Sequence, residues 1–512
     1  PRRMWRIRNV EPQRRVRLTT EFPMNIVEPI LFQARHDPPA PAMCAPGTAL
    51  GIVSYARLAR FIHSVGHRAV RLGVAPGQVV AIHVKDHIFH AALALGFMHV
   101  GIVTVSIGAS LPPGLRADVI LTDEPAAFAN GRSTKIVAVD LSWMSGKGVP
   151  VDDRHVYRGS GNDFCRIALT SGSTGEPRAV GFTHNNQLAR LARYNHIFGN
   201  LFPQYSRFFS DYGLGSSDGF RHILYVLSRG GTMFFPGASP METLQTFALY
   251  NVQGLIASPG GLSGFLTFYD TNRDFPCNFD IILSAGSPLP DPLSQQVRAR
   301  MGSNLIFYYG TTETSTIASA PAHALTGLAG AVGYVTPDVS VQIVDDNGNS
   351  VPANREGSVR VRTPVSVKGY LDDPQQAGTP FRDGYFDTGD IGYLTDENML
   401  VISGRKKEIL NLGGDKVSPR TIEDALRAFY GIRDAAAFSV ANGLGIDEVW
   451  ALVVPNGRLN EEALQKHCRE RLAQTHVPVR FINVADIPRN ANGKVDRGRL
   501  NAMVQGFTAS TA

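Results

Sequence analysis

Thr170-Ser171-Gly172-Ser173-Thr174-Gly175-Glu176-Pro177-Arg178 concentrates hydroxyl side chains, two glycines and a terminal cation in one short stretch. Hydroxyls and backbone N–H groups can ring an anion, and glycine lets the backbone approach it, so the chemistry these residues suit is polyphosphate binding. Arg166 to Leu169 ahead of the loop reads as a short buried strand, and His184 to Tyr194 behind it carries apolar residues at helical spacing. The expected order is therefore strand, phosphate loop, helix. It is not a Walker A loop, because Gly175 is followed by Glu176 and Pro177 rather than by Lys and a hydroxyl residue. Taken alone, an ordinary Ser/Gly/Thr surface turn explains the same composition.

Four further motifs decide between those readings: Tyr309-Gly310-Thr311-Thr312-Glu313, Tyr385-Phe386-Asp387-Thr388-Gly389-Asp390, Gly404-Arg405-Lys406-Lys407-Glu408-Ile409 and Asn492-Gly493-Lys494-Val495-Asp496-Arg497. With the loop, and in this order, they resemble the adenylate-forming superfamily, which includes acyl-CoA synthetases, peptide-synthetase adenylation domains and firefly-type luciferases. The resemblance runs from about Ile26 to Leu500 and is closest to an acyl-CoA ligase. It implies an ATP-dependent conversion of a carboxylic acid to an acyl-adenylate with release of pyrophosphate, then transfer to a thiol. Such chemistry needs triphosphate charge neutralised while a carboxylate is aligned on the α-phosphorus.

The resemblance also implies roles. Thr170, Ser171, Gly172, Ser173, Thr174 and Gly175 would wrap the β and γ phosphates, with Arg178 at the loop's end. Thr312 would donate to the α-phosphate, and Glu313 would hold Mg²⁺, a hard ion suited to carboxylate, phosphate and water oxygens. Gly286, Ser287, Pro288 and Tyr309 would border the adenine, and Asp390 and Arg405 the ribose. Lys494 would bridge carboxylate and α-phosphate, Lys407 would be the hinge, and Gly413 and Gly414 would line a thiol channel. Tyr212, Phe220, Gly260, Ala285 and Thr316 are the expected acid pocket. Read singly, Glu313 is equally a helix-start carboxylate, Asp390 a turn residue, and Lys407 and Lys494 solvated lysines.

Two features depart from the family pattern. Arg178 stands where lysine is usual, replacing a point charge by a planar fork. Ser210 to Phe220 reads Ser-Asp-Tyr-Gly-Leu-Gly-Ser-Ser-Asp-Gly-Phe, without the aromatic gate many acyl-CoA synthetases carry there. Gly213-Leu214-Gly215 has the wrong spacing for a dinucleotide fingerprint, and with no clear helix directly behind it this segment reads as loop.

The elements that must position these residues follow from periodicity. At 512 residues the chain is too long for one core. Tyr55 to Leu72 and Ala91 to Val100 read as helices, alternating with strands at Gln78 to Val84 and Ile102 to Val105, an α/β pattern with a largely parallel sheet. Short strands with Asp-Gly-type turns follow between Gly330 and Gly404, and an α+β texture returns beyond. The fold class expected is α/β: a large N-terminal domain of layered α/β subdomains plus a small β-rich subdomain, then a small mobile α+β C-terminal domain. The divisions expected are a basic arm over 1–25, an AMP-binding domain over 26–404, a hinge over 405–408 and the C-terminal domain over 409–505.

A net charge of +6 comes from dispersed basic residues rather than runs interleaved with aromatics, so nucleic acid is not an expected partner. Cys44, Cys165, Cys277 and Cys468 stand too far apart for a zinc site or disulfide framework, which fits a reducing, cytoplasmic compartment. No apolar run is long enough to span a bilayer. The leading expectation is a freestanding acid:CoA ligase using ATP, Mg²⁺ and coenzyme A on a small-molecule carboxylic acid, with a homodimer as the candidate assembly. The alternative is an adenylation enzyme loading a carrier-protein phosphopantetheine. A third reading, from another class, is a catalytically weak nucleotide-binding relative.

Overall fold

The computed structural model describes residues 25–108, 110–112, 114–128, 134–145, 156–170, 178–202, 206–271, 278–371, 380–408, 410–412, 415–441, 447–489 and 495–509. The basic arm lies outside them, as does Cys277. Among the described residues no helix is long and apolar enough to cross a membrane, and Cys44, Cys165 and Cys468 are buried free thiols.

Two large sheets carry the N-terminal part. In the first, strands Lys135–Ala138, Val119–Thr122, Val79–His83, Val103–Ser106 and Phe164–Thr170 are parallel, and Arg178–Thr183 closes the edge antiparallel. Runs such as Val79-Val80-Ala81-Ile82 are apolar without alternation because both faces of a parallel sheet are covered. The helices Tyr55–Arg71 and His87–His99 cover one face. They approach so closely at Gly96 that an added Cβ would lie 2.5 Å from Val65.

In the second sheet the parallel strands Leu305–Thr311, Ile281–Ser284, Gly254–Ala257, Arg207–Ser210, Thr232–Phe234 and Pro41–Ala45 lie side by side. Beyond Leu305–Thr311 the same sheet continues antiparallel through Ser315–Pro321, Ala331–Val335, Met399–Arg405, Tyr385–Leu394, Gly357–Arg362 and Ser340–Val344. The β-rich stretch expected from the turns is thus an extension of the main sheet, with a core of its own around Ile317, Val359 and Leu400.

The C-terminal part is α+β: strands Ile432–Ala441, Asp447–Pro455 and Arg480–Asn483 pack with helices Pro419–Arg427 and Glu461–Arg469 around Ile422, Leu426 and Leu464.

Two local expectations change. The phosphate loop joins two paired strands, Phe164–Thr170 and Arg178–Thr183, before the helix His184–Phe198 begins. Phe182 and Val180 bury one face of the second strand, so the loop residues are followed by a strand and not directly by a helix. The segment behind Gly215 is a helix, Ser217–Ser228, whose first turn is capped by Ser216 Oγ accepting from Gly219 N at 2.9 Å. Its buried face includes Arg221 and His222, and charged residues on a core face disguise helical periodicity.

Candidate active site

Both large sheets send strand ends toward one region. Thr170 ends its strand opposite Arg178, and its hydroxyl donates to the Arg178 carbonyl at 3.4 Å. Ser171, Gly172, Ser173, Thr174 and Gly175 lie outside the described residues. The Arg178 guanidinium stacks over Tyr370 at 4.3 Å from the ring centre, and Tyr370 donates its hydroxyl to Glu313 Oε1 at 2.8 Å. The backbone holds Tyr370 in place, since Leu371 N donates to Ala179 O at 2.9 Å.

Thr312 and Glu313 occupy the turn between strands Leu305–Thr311 and Ser315–Pro321. The turn needs glycine at its base: a Cβ on Gly310 would lie 2.3 Å from Ser315 O. Ser315 itself sits at φ +65°, a left-handed conformation costly for a side-chain-bearing residue and typical of functional turns. Arg190 holds the turn from beneath, donating from Nη2 to the carbonyls of Thr312 and Glu313 at 2.8 and 3.0 Å. Arg190 is buried, so these charge-assisted bonds act in a low-dielectric setting. Val367 N and Thr363 Oγ tie the carbonyls of Glu313 and Thr314 at 2.9 Å each.

A second bonded group joins strand Leu305–Thr311 to the paired strands Tyr385–Leu394 and Met399–Arg405. Tyr309 donates its hydroxyl to Asp390 Oδ2 at 2.5 Å, and Arg405 Nε meets Asp390 Oδ1 at 3.1 Å. Asp390 and Arg405 face each other directly across paired strands. Burial and the Asp390 carboxylate push the Tyr309 phenol well up, so it stays protonated and donates. The same carboxylate raises Arg405. Gly286 turns with φ +90° after strand Ile281–Ser284, with Ser287 half-buried and Pro288 exposed. Tyr212 grips this turn: its hydroxyl donates to Ala285 O at 2.8 Å and accepts from Ala285 N at 3.2 Å.

The residues expected to line an acid pocket part company. Tyr212 and Ala285 are joined directly, and Thr316 is buried on the strand after the Glu313 turn, its carbonyl accepting from Arg193 Nη1 at 2.6 Å. Phe220 instead packs under Arg166, whose guanidinium lies 4.0 Å from the ring centre and reaches Ser106 Oγ and Leu214 O. Gly260 is exposed at the start of helix Pro259–Thr271. Beside Arg166 a cleft of about 370 Å³ is lined by Lys85, His90, Ser106, Leu169, Leu214 and Gly215.

Lys407 lies in the short turn Lys406–Glu408, its side chain outside the described residues. Gly413, Gly414 and Lys494 are also outside them. Val495, next to Lys494 in sequence, bridges to Arg489, and Arg497 just beyond it pairs with Glu423 at 2.9 Å and Glu408 at 3.8 Å. Among the described residues no group of three His, Cys, Asp or Glu could hold a metal.

Sequence alone does not find Arg190, Tyr370, Arg221 or Asp218. Arg190 and Arg221 each lie within a helix, where an arginine ordinarily reads as solvated, and Tyr370 falls between motifs, 57 residues after Glu313.

A family model for the AMP-binding enzyme matches residues 32–371, and one for the AMP-binding enzyme C-terminal domain matches residues 421–494. Relatives include a 2-succinylbenzoate–CoA ligase of Bacillus velezensis, 29% identical over 353 residues that cover 67% of this chain and 70% of that protein. A long-chain-fatty-acid–CoA ligase of Bacillus subtilis is 28% identical over 353 residues, covering 66% of this chain and 61% of that one. The crystal structure of ATP-bound MatB from Rhodopseudomonas palustris shares the fold, with a TM-score of 0.81 at 24% identity over 94% of this chain and 99% of that one.

Proposed function

Because the chain belongs to the AMP-binding enzymes of the adenylate-forming superfamily, we propose that it is an acid:CoA ligase. It condenses a carboxylic acid with ATP to an acyl-adenylate and pyrophosphate, then passes the acyl group to the thiol of coenzyme A. The observation that carries this reading is the bonded set Tyr309–Asp390–Arg405, whose Tyr309 stands on the same hairpin as Thr312 and Glu313. In it, one buried carboxylate is oriented by a phenol and a guanidinium, which leaves its remaining lone pairs for ribose hydroxyls. Gly286, Ser287, Pro288 and Tyr309 border the adenine, and Thr312 donates to the α-phosphate. Thr170, the 171–175 loop and Arg178 hold the β and γ phosphates. Glu313, with phosphate oxygens and water, holds Mg²⁺, which neutralises triphosphate charge when bound.

Lys494 brings a compact cation to the centre where negative charge grows. The domain of residues 409–505 turns at 405–408, around Lys407, between the half-reactions, bringing Gly413 and Gly414 to the thiol. The cleft beside Leu169 and Leu214 offers the thiol arm a way in. CoA ligase names among the relatives support CoA over a carrier protein as acceptor.

The test is acid-dependent exchange of labelled pyrophosphate into ATP across an acid panel, followed by CoA addition. Exchange followed by a thioester is the expected result. No exchange with any acid overturns the reading, and exchange without a thioester overturns its second half.

A further inference from the structure

Behind the two turns assigned above to adenine and α-phosphate lies a polar cluster, buried except for the partly exposed Asp218, that neither half of the nucleotide site uses. Asp218, Arg221 and His222 come from helix Ser217–Ser228, Tyr308 and Thr316 from the strands flanking the Glu313 turn, and Tyr194 from helix His184–Phe198. Arg221 Nη2 pairs with Asp218 Oδ1 at 2.9 Å, Tyr308 donates its hydroxyl to Asp218 Oδ2 at 3.0 Å, and Arg221 Nη1 donates to Ser315 Oγ at 3.0 Å. The cluster also reaches the adenine-side turn: the His222 ring centre lies 6.1 Å from that of Tyr212, which grips Ala285.

The cluster is not internally satisfied. Arg221 Nε, both ring nitrogens of His222, Tyr194 Oη and Thr316 Oγ are buried without a hydrogen-bond partner among the described residues. The His222 and Tyr194 ring centres lie 5.5 Å apart, and the Arg221 guanidinium lies 4.8 Å over Tyr194. Burial, with Arg221 beside it, holds His222 down at about 3, so it is neutral and offers one donor and one acceptor. Burial alone would raise Asp218, but Arg221, His222 and Tyr308 outweigh it and hold the carboxyl below its ordinary range. Unpartnered buried polar atoms are costly, so several of them converging beside a substrate site point to partners supplied by the substrate.

Resting on the ligase reading, we infer that the acid this enzyme activates carries a second oxygen-bearing group, which the Arg221–His222–Thr316 cluster recognises. An acid whose carboxylate sits at the α-phosphorus lies between the Ala285 and Glu313 turns, and this cluster touches both, through Tyr212 and Ser315. A plain alkyl tail would leave the donors unpaired, and a hydroxyl, oxo or carboxylate oxygen would satisfy them. Sites built to hydrogen-bond a substrate reject the analogue lacking that group strongly.

The experiment is pyrophosphate exchange on the full chain with length-matched acids: a straight-chain monocarboxylic acid against its distal hydroxy, oxo and dicarboxylic counterparts, and an aryl acid against its hydroxy and carboxy forms. The best oxygenated acid should exceed its plain partner in kcat/KM by about 100-fold or more. The arms tell which oxygen group is read. Thr316→Val and His222→Phe, checked for folding by circular dichroism, should shrink that ratio by about 10-fold or more. Equal or better exchange with the plain acids overturns the inference and leaves the ligase reading standing, and so does an unchanged ratio in both folded variants. Absence of exchange with every acid overturns the ligase reading, and this inference with it.

Discussion

Tyr370 stands between Arg178 and Glu313: the guanidinium covers its ring at 4.3 Å and its hydroxyl donates to the Glu313 carboxylate at 2.8 Å. The cation at the end of the phosphate loop is thereby mechanically linked to the proposed Mg²⁺ carboxylate. A lysine at 178 would keep the charge but lose the planar stacking surface. Tyr370→Phe is expected to lower kcat/KM for ATP in pyrophosphate exchange about 10-fold and raise the Mg²⁺ concentration needed for half-maximal rate, as losses around a metal ligand commonly do. Arg178→Lys should shift the same Mg²⁺ dependence in the same direction but less. An Mg²⁺ dependence unchanged in both variants would show that the link does not act on Glu313.

Asp390 is predicted to be the affinity determinant for the nucleoside. Both of its oxygens are oriented by neighbours, at 2.5 Å from Tyr309 and 3.1 Å from Arg405. Asp390→Asn keeps the shape but replaces one acceptor oxygen by a donor that faces either the phenol or the guanidinium. AMP binding, measured by calorimetry, should weaken about 10- to 100-fold, the range expected for hydrogen bonds to a charged group. Tyr309→Phe should weaken it less, because Arg405 still orients the carboxylate. Equal AMP affinity in Asp390→Asn and the parent chain would remove Asp390 from the ribose site.

How much of this was legible in the sequence depends on the kind of signal each residue carries. Continuous apolar runs such as Ile281-Ile282-Leu283 and the helical stripe of Tyr55–Arg71 announce themselves, because burial on a regular element leaves a period. Asp390 and Arg405 fall in recognisable motifs, yet their pairing comes from the register of two strands and is invisible in either motif alone. Helix Ser217–Ser228 was hidden because Arg221 and His222 fall on its buried face, so the periodicity that marks a helix is broken where the chemistry is. The strand Arg178–Thr183 was hidden for the opposite reason: a phosphate loop followed by a helical pattern suggests direct succession, and six residues of strand fit between them unnoticed.

Lys494 gives a prediction that separates the two half-reactions. Its neighbour Val495 bridges to Arg489, and Arg497 pairs with Glu408 beside Lys407. A cation carried on this element serves adenylation if it is delivered to the nucleotide then and withdrawn afterwards. Lys494→Ala should suppress pyrophosphate exchange by about 100-fold or more while changing thioester formation from supplied acyl-adenylate and CoA by less than about 10-fold, since only the first step builds charge at phosphorus. Equal losses in the two assays would contradict the assignment.

Stability is expected to fall as pH drops below about 6.5, well before the carboxylates protonate. Burial lowers four histidines, His90, His99 and His222 to about 3 and His184 to about 4, so all are neutral in the folded chain at pH 5. Unfolded, each would take a proton near pH 6.5. Between these limits the unfolded chain binds more protons than the folded one, so stability rises with pH through the window and is lost as pH falls. Each histidine contributes up to about 1.4 kcal/mol per pH unit. His99 is the cleanest probe: it packs edge-on against His63 at 5.2 Å, far in sequence from the nucleotide motifs, and neither of its ring nitrogens has a partner among the described residues. In urea titrations from pH 7.5 to 4.5, His99→Leu should lose stability less steeply than the parent chain, by about one proton's worth of slope, while the two curves run parallel above pH 7. Identical slopes below pH 6 would mean that His99 is already protonated in the fold.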